Sequence, residues 1–230
     1  MVRLANLAMA TAFVLAGQCA VFADDAKTGD PNPPDTVKVD VLRGDRWIYE
    51  LRDDITNELK SIVDVAVTDV TDSEIDTRVR FTNATTNAES NVVQVFDPRW
   101  RLKENGNFTY RPADDETGIP ADLQVGKTWT YRFELLRANP VGTFNYAGKA
   151  KVEAWEHVAV ANGLSYDAFK IVLGSALTPV VNNRKLEAKV VLWYAPAVNR
   201  IVKSTFESRT NGKLLEATDL TLRDYQRRQP

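Results

Sequence analysis

The residues able to carry chemistry in this chain are few and poorly grouped. One histidine, His157, and one cysteine, Cys19, stand among 230 residues. A nucleophilic triad would have to use His157, yet no serine sits in a G-x-S-x-G elbow. Zinc sites, iron–sulfur clusters and thiol proteases need sets of Cys and His that the composition does not supply. Gly126-Lys127-Thr128 has the ending of a phosphate loop, but Ala121 stands where the earlier glycine belongs and Trp129 continues a strand-like run. Lys27-Thr28-Gly29 imitates a β-lactamase element without any Ser-x-x-Lys to accompany it. Carboxylates are plentiful, with Asp53-Asp54 and Asp114-Asp115-Glu116 the densest groups. Such groups are the raw material of a glycosidase acid pair or a calcium loop. EF-hand spacing is absent, however, and solvated charge is their ordinary role. His157, between Glu156 and Val158, reads as an exposed strand histidine. The expectation is a non-enzymatic protein with no cofactor and no metal.

The aromatic residues are more distinctive. Gly44, Trp47 and Tyr49 recur as Gly126, Trp129 and Tyr131, giving G-x-x-W-x-Y twice, 82 residues apart. Val92-Val93 followed by Phe96-Asp97-Pro98 answers Val190-Val191 followed by Tyr194-Ala195-Pro196, which is V-V-x-x-aromatic-x-Pro in both. From the Gly to the first Val there are 48 residues in the first copy and 64 in the second. In a strand, positions i and i+2 share a face, so each Trp–Tyr pair projects together. Paired rings of this kind either fill a core or form a stacking platform for sugars. The candidate binding residues are therefore Trp47, Tyr49, Trp129, Tyr131, Trp193 and Tyr194.

Those residues must be held by strands. Ile75 to Phe81 alternates strictly between apolar and polar residues, as do Val63, Val65 and Val67, the mark of half-buried strands. Val190, Leu192 and Tyr194 line one face of a further strand, with Val191 and Trp193 on the other. Turn signals fall at Arg43-Gly44-Asp45, Asn105-Gly106-Asn107, Asn162-Gly163 and Asn211-Gly212. Leu164 to Leu173 alone admits a helix as an alternative. About ten to twelve strands at hairpin spacing predict an all-β fold, an antiparallel sandwich or open barrel. The two aromatic copies suggest two related β-modules, 37–117 and 118–226, sharing one core.

Residues 1–23 read as a secretory signal peptide, with Arg3, an apolar run from Leu4 to Gly17, and Val21-Phe22-Ala23 before Asp24. Cys19 raises lipidation as an alternative, but Gln18 stands where a small residue belongs. Cleavage after Ala23 leaves a cysteine-free domain that must hold together by core burial alone. Residues 24–36, with three prolines, read as a disordered linker. No transmembrane segment remains in the mature chain, and a net charge of −2 gives no basic excess for nucleic acid. Charge is unevenly placed: residues 53–97 hold ten acids and three bases, residues 184–230 ten bases and five acids. Such a split either makes a dipolar surface or is neutralised by pairing between the modules.

The second module resembles exported β-rich proteins of Proteobacteria of the DUF3108-like kind. The resemblance rests on Gly126-Trp129-Tyr131, Glu156-Val158-Val160-Gly163, Ala168-Phe169-Lys170-Ile171, Trp193-Tyr194-Ala195-Pro196, Val202-Lys203 and Tyr225. Ala197 and Asn199 depart from it, replacing the glycines usual after the proline. It implies an antiparallel β fold, a periplasmic or secreted location and no assigned activity. The function expected is binding of amphiphilic or lipid-like envelope material. The alternatives are a carboxylate-dependent hydrolase of cell-wall glycans and a purely structural or assembly partner. Neither the ligand nor the oligomeric state is readable from the sequence.

Overall fold

Alternating apolar and polar residues with β-branched enrichment build twelve strands, each long enough to turn one face inward. In the computed structural model, which describes residues 39–112, 118–179 and 186–228, these are β1 (Arg46–Asp53), β2 (Leu59–Val70), β3 (Ile75–Asn83), β4 (Glu89–Phe96), β5 (Leu102–Asn105) and β6 (Phe108–Pro112). There follow β7 (Thr128–Arg137), β8 (Gly142–Ala159), β9 (Ser165–Pro179), β10 (Leu186–Ala195), β11 (Arg200–Thr210) and β12 (Lys213–Gln226). A short 3-10 helix, Pro196–Val198, joins β10 to β11. The predicted signal peptide, the linker and the Asp114-Asp115-Glu116 group lie outside the described residues.

Every strand pairs antiparallel with its chain neighbours, and β1 also pairs with β12. The sheet thus closes into a twelve-stranded barrel. The all-β antiparallel architecture expected from the sequence is present, and the pairing of first and last strands leaves no sheet edge exposed. Leu164 to Leu173 is strand from Ser165 onward, paired with both β8 and β10.

The alternation reads directly as inside and outside. On β7, Trp129, Tyr131, Phe133 and Leu135 are buried, while Thr128, Thr130, Arg132 and Glu134 are exposed. On β3, Ile75, Thr77 and Val79 face inward and Arg78 outward. The outer wall is charged, and the ion pairs among described residues lie close to home. Asp64 holds Arg46 at 2.6 Å and Arg80 at 2.8 Å, Asp53 holds Lys60 at 2.8 Å, and Asp219 holds Lys203 at 3.4 Å. Each ion pair among the described residues joins residues of the same predicted module.

The two aromatic copies occupy corresponding places. Gly44 and Gly126, at φ +95° and +89°, sit in turns just before β1 and β7. Gly44 N–H donates to Val67 C=O and Val67 N–H to Asp45 C=O; Gly126 N–H donates to Val152 C=O and Val152 N–H to Lys127 C=O, all at 2.9 Å. The V-V-x-x-aromatic-x-Pro copies lie on β4 and β10, again six strands apart.

Candidate functional site

The chemistry-bearing side chains converge on the barrel interior, which two clusters of buried residues occupy. One follows the wall from β6 to β11, with Trp129, Tyr131, Phe133, Tyr146, Ile171, Val190 and Tyr194 among its members. The other lies under β1 to β4, built on Trp47, Tyr49, Val65, Val79 and Phe96. The ends of β8 and β9 close it. They run past the ends of β10 and β11 until Ala161 N–H donates to Leu222 C=O on β12, and Val158, Val160 and Ala168 join the cluster. Trp100 and Leu102 pack against both clusters.

The structure buries five of the six candidate rings. Trp47 and Tyr49 are fully enclosed, and Trp129, Tyr131 and Tyr194 are 8%, 1% and 3% exposed. Three of their polar tips find partners inside: Trp47 Nε1 donates to Val198 C=O (3.2 Å), Tyr49 to Ile201 C=O (2.9 Å) and Tyr194 to Asn199 Oδ1 (2.6 Å). Enclosed rings present no open face on which a sugar could stack. Trp193 alone points to the outer wall, half-buried, donating to Glu156 at 2.5 Å beneath Lys203.

Where β10 turns into β11 the interior holds a cation. Arg200 is 4% exposed, and its guanidinium carbon lies 4.0 Å from the Trp100 ring centre, 5.2 Å from Trp47 and 5.3 Å from Phe96. Aromatic faces partly replace the water that a buried guanidinium loses. Burial lowers the Arg200 pKa and pushes the Tyr49 hydroxyl up to about 12, the Arg200 charge and hydrogen bond opposing that rise. Trp100 adopts φ +58° and Asn199 φ +44°, the left-handed region that a bulky residue rarely enters. Each ends a turn after β4 or β10, and Trp100 Nε1 donates to Asn199 Oδ1 at 3.2 Å.

Polar groups also line the lumen further along. Gln94 Nε2 donates to Asn105 Oδ1 at 3.3 Å, and Asn105 in turn meets the Tyr110 hydroxyl, whose pKa burial raises. Ser175, Ser204, Ser208 and Thr218 are buried on the facing wall. Arg200, Trp100 and Gln94 were not among the candidate residues. Gln94 left a legible signal, a lone amide on the same strand face as Val92 and Phe96. Arg200 left none, because a cation just after Pro196 reads as an exposed turn residue.

No family model matches the chain, and no curated protein is significantly similar to it. Solved structures are similar. A candidate lipoprotein of Parabacteroides distasonis superposes with a TM-score of 0.55 at 12% identity, covering 83% of this chain and 99% of its own. A candidate exported protein of Bacteroides fragilis with a YmcC-like fold gives 0.53 at 13%, covering 84% and 100%. The fold is shared.

Outside the barrel, two open grooves of about 490 and 500 Å³ are both lined by charged residues. The first surrounds Ala66 with Arg46, Arg78 and Arg80, and the second gathers Glu50, Asp53, Asp54 and Asp219 beside Arg52 and Lys203. Lys60, with the Thr56 and Ile55 amides, holds the Asp53 carboxyl down to about 2. Glu216, nearby on β12, is raised by burial against the pull of Lys60, and Asp53 adds to the rise. His157 lies on the outer wall, exposed and 2.9 Å from the exposed Asp167. Among the described residues no group of three or more His, Cys, Asp or Glu is placed to hold a metal ion.

Proposed function

We propose that this chain is a non-enzymatic β-barrel protein of the bacterial envelope that holds an amphiphilic, lipid-like molecule inside its barrel. The observation that carries the proposal is the closed twelve-stranded wall, apolar inside and charged outside. Eight strands enclose an interior that side chains just fill, and sixteen or more leave an aqueous channel. Twelve enclose more section than an eight-stranded core fills, and here the enclosed surface is largely apolar. A membrane-spanning barrel has the opposite polarity, with an apolar band facing outward. An exported location is supported by the two structural neighbours, one a candidate lipoprotein and one a candidate exported protein. The DUF3108-like reading belongs to the same proposal, supported by the Trp193-Tyr194-Ala195-Pro196 run that carries β10 into the 3-10 helix.

Native mass spectrometry of protein purified from the bacterial envelope without detergent tests this. A co-purifying acyl-chain mass, removed by organic extraction and regained from added lipid, is the expected result. Protein that leaves the envelope bare and takes up no acyl-chain compound would overturn it.

The hydrolase alternative has one observation in its favour, the neighbouring carboxyls Glu216, raised, and Asp53, lowered. A glycosidase needs one carboxyl protonated and one ionised. Release of reducing sugar from cell-wall glycan, abolished in Glu216→Gln, would establish it; no release would leave binding as the function.

A further inference from the structure

We propose that the interior seats the uncharged, hydrogen-bonding head group of an amphiphile, between Gln94 with Asn105 on one wall and the small residues Ser175, Ala188 and Ser208 on the other. The inference rests on the interior-binding proposal and names the ligand's chemistry. Gln94 is 2% exposed, yet among the described residues its Oε1 accepts no hydrogen bond. A buried amide oxygen left unpaired costs on the order of 1–3 kcal/mol, so the site favours a molecule that brings a donor.

Small side chains line the facing wall. Ser175, Ala188 and Ser208 stand side by side in register across β9, β10 and β11. Six strands separate β4 from β10 and β5 from β11, half the circumference, so the two patches belong to opposite walls. On one side of the small row stand Leu173, Val190 and Phe206, and on the other Leu177 and Leu186. A hydrogen-bonding seat between apolar rows matches a head group with a chain attached.

The charges argue for a neutral head. The small row continues on β12 to Glu216, partly buried, which brings no cation to pair with an anionic head. Arg200, the interior cation, is wrapped by Trp47, Phe96 and Trp100. Gln94, Asn105, Ser175 and Ser208 do not ionise.

The experiment compares monomyristoylglycerol, myristate and lyso-myristoylphosphatidylglycerol, which share a tail, by native mass spectrometry and quenching of tryptophan fluorescence in the delipidated protein. The expected result is binding of monomyristoylglycerol about tenfold or more tighter than either anion, a difference of roughly 1.4 kcal/mol. Gln94→Leu should erase that preference, and Ala188→Leu, which fills the row, should weaken all three. Equal affinities, or a preference for myristate, would overturn the head-group seat while leaving interior binding in place. No binding of any of the three would overturn both. The wild-type comparison stands without the variants, so a variant that fails to fold does not decide the outcome.

Discussion

Gly148 sets the depth of the lumen at one point of the wall. A Cβ there would stand 2.5 Å from the Gly174 carbonyl oxygen and 2.5 Å from Ser175 Cβ, and would overlap the Tyr131 hydroxyl. The backbone oxygen cannot withdraw without breaking the β8–β9 ladder, so Gly148→Ala is expected to cost roughly 1–3 kcal/mol or more, as overpacking does. Tyr131→Phe removes only one of the three obstacles and should recover part of the loss. Thermal melts of the single and double variants measure this, and full recovery by Tyr131→Phe would show that the backbone contact is relaxed at little cost. The paired tryptophans make a second prediction at this scale. Trp47→Ala and Trp129→Ala should each cost roughly 3–5 kcal/mol, the range for deleting a large buried ring. For a domain of this size that is a fall of very roughly 8–15 °C. A change within about 1 kcal/mol at either position would contradict the burial seen here.

At the scale of elements, Asp64 ties three strands together on the outer wall. Its two oxygens receive Arg46 Nε at 2.7 Å and Nη2 at 2.6 Å from β1, and Arg80 Nη2 at 2.8 Å from β3. The hydrogen bonds from Arg46, then those from Arg80, hold the carboxyl below the ordinary range. A carboxyl lowered in the folded state stabilises fully above its unfolded pKa of about 4, and the contribution fades as pH falls through the lowered value. Asp64→Asn is therefore expected to cost about 1–2 kcal/mol at pH near 7, the half-exposed guanidiniums being screened by water. The melts of variant and wild type should converge as pH falls from about 4 toward 2. A gap that persists in acid would mean that the loss is steric.

The strands themselves were legible because alternation is a local signal, and Ile75 to Phe81 or Val63 to Val67 needed no tertiary information. Closure was not legible, since nothing in Arg46–Asp53 says that its second partner lies at the far end of the chain. The candidate rings and the burial of the two Trp–Tyr pairs were legible, since aromatics at i and i+2 share one strand face and such a face usually fills a core. The enclosure that removes a platform was not, because it depends on closure. We propose that the two halves are related modules. Three things support it: the matching turns at Gly44 and Gly126, the matching motifs on β4 and β10, and the contact of Trp100 with Asn199 at the end of both.

At the scale of the molecule, the outer wall decides how the protein meets a membrane. Outward-facing positions such as Arg78, Arg132, Glu134, Lys149 and Lys151 are exposed and charged, where a membrane-spanning barrel carries an apolar band. Among the described residues no helix is long and apolar enough to cross a membrane. A lipid on Cys19 is one route to a membrane that the sequence offers, and cleavage after Ala23 would remove that residue. The exported protein is expected to begin at Asp24 and to enter the aqueous phase when a cloud-point detergent solution is warmed. Its intact mass should equal that of residues 24–230 without modification. A protein beginning at an acylated Cys19 would enter the detergent phase and carry the mass of its acyl chains, and would place the barrel as a tethered rather than a diffusing carrier. A chain starting at Asp24 has no thiol, so its thermal midpoint should be indifferent to dithiothreitol.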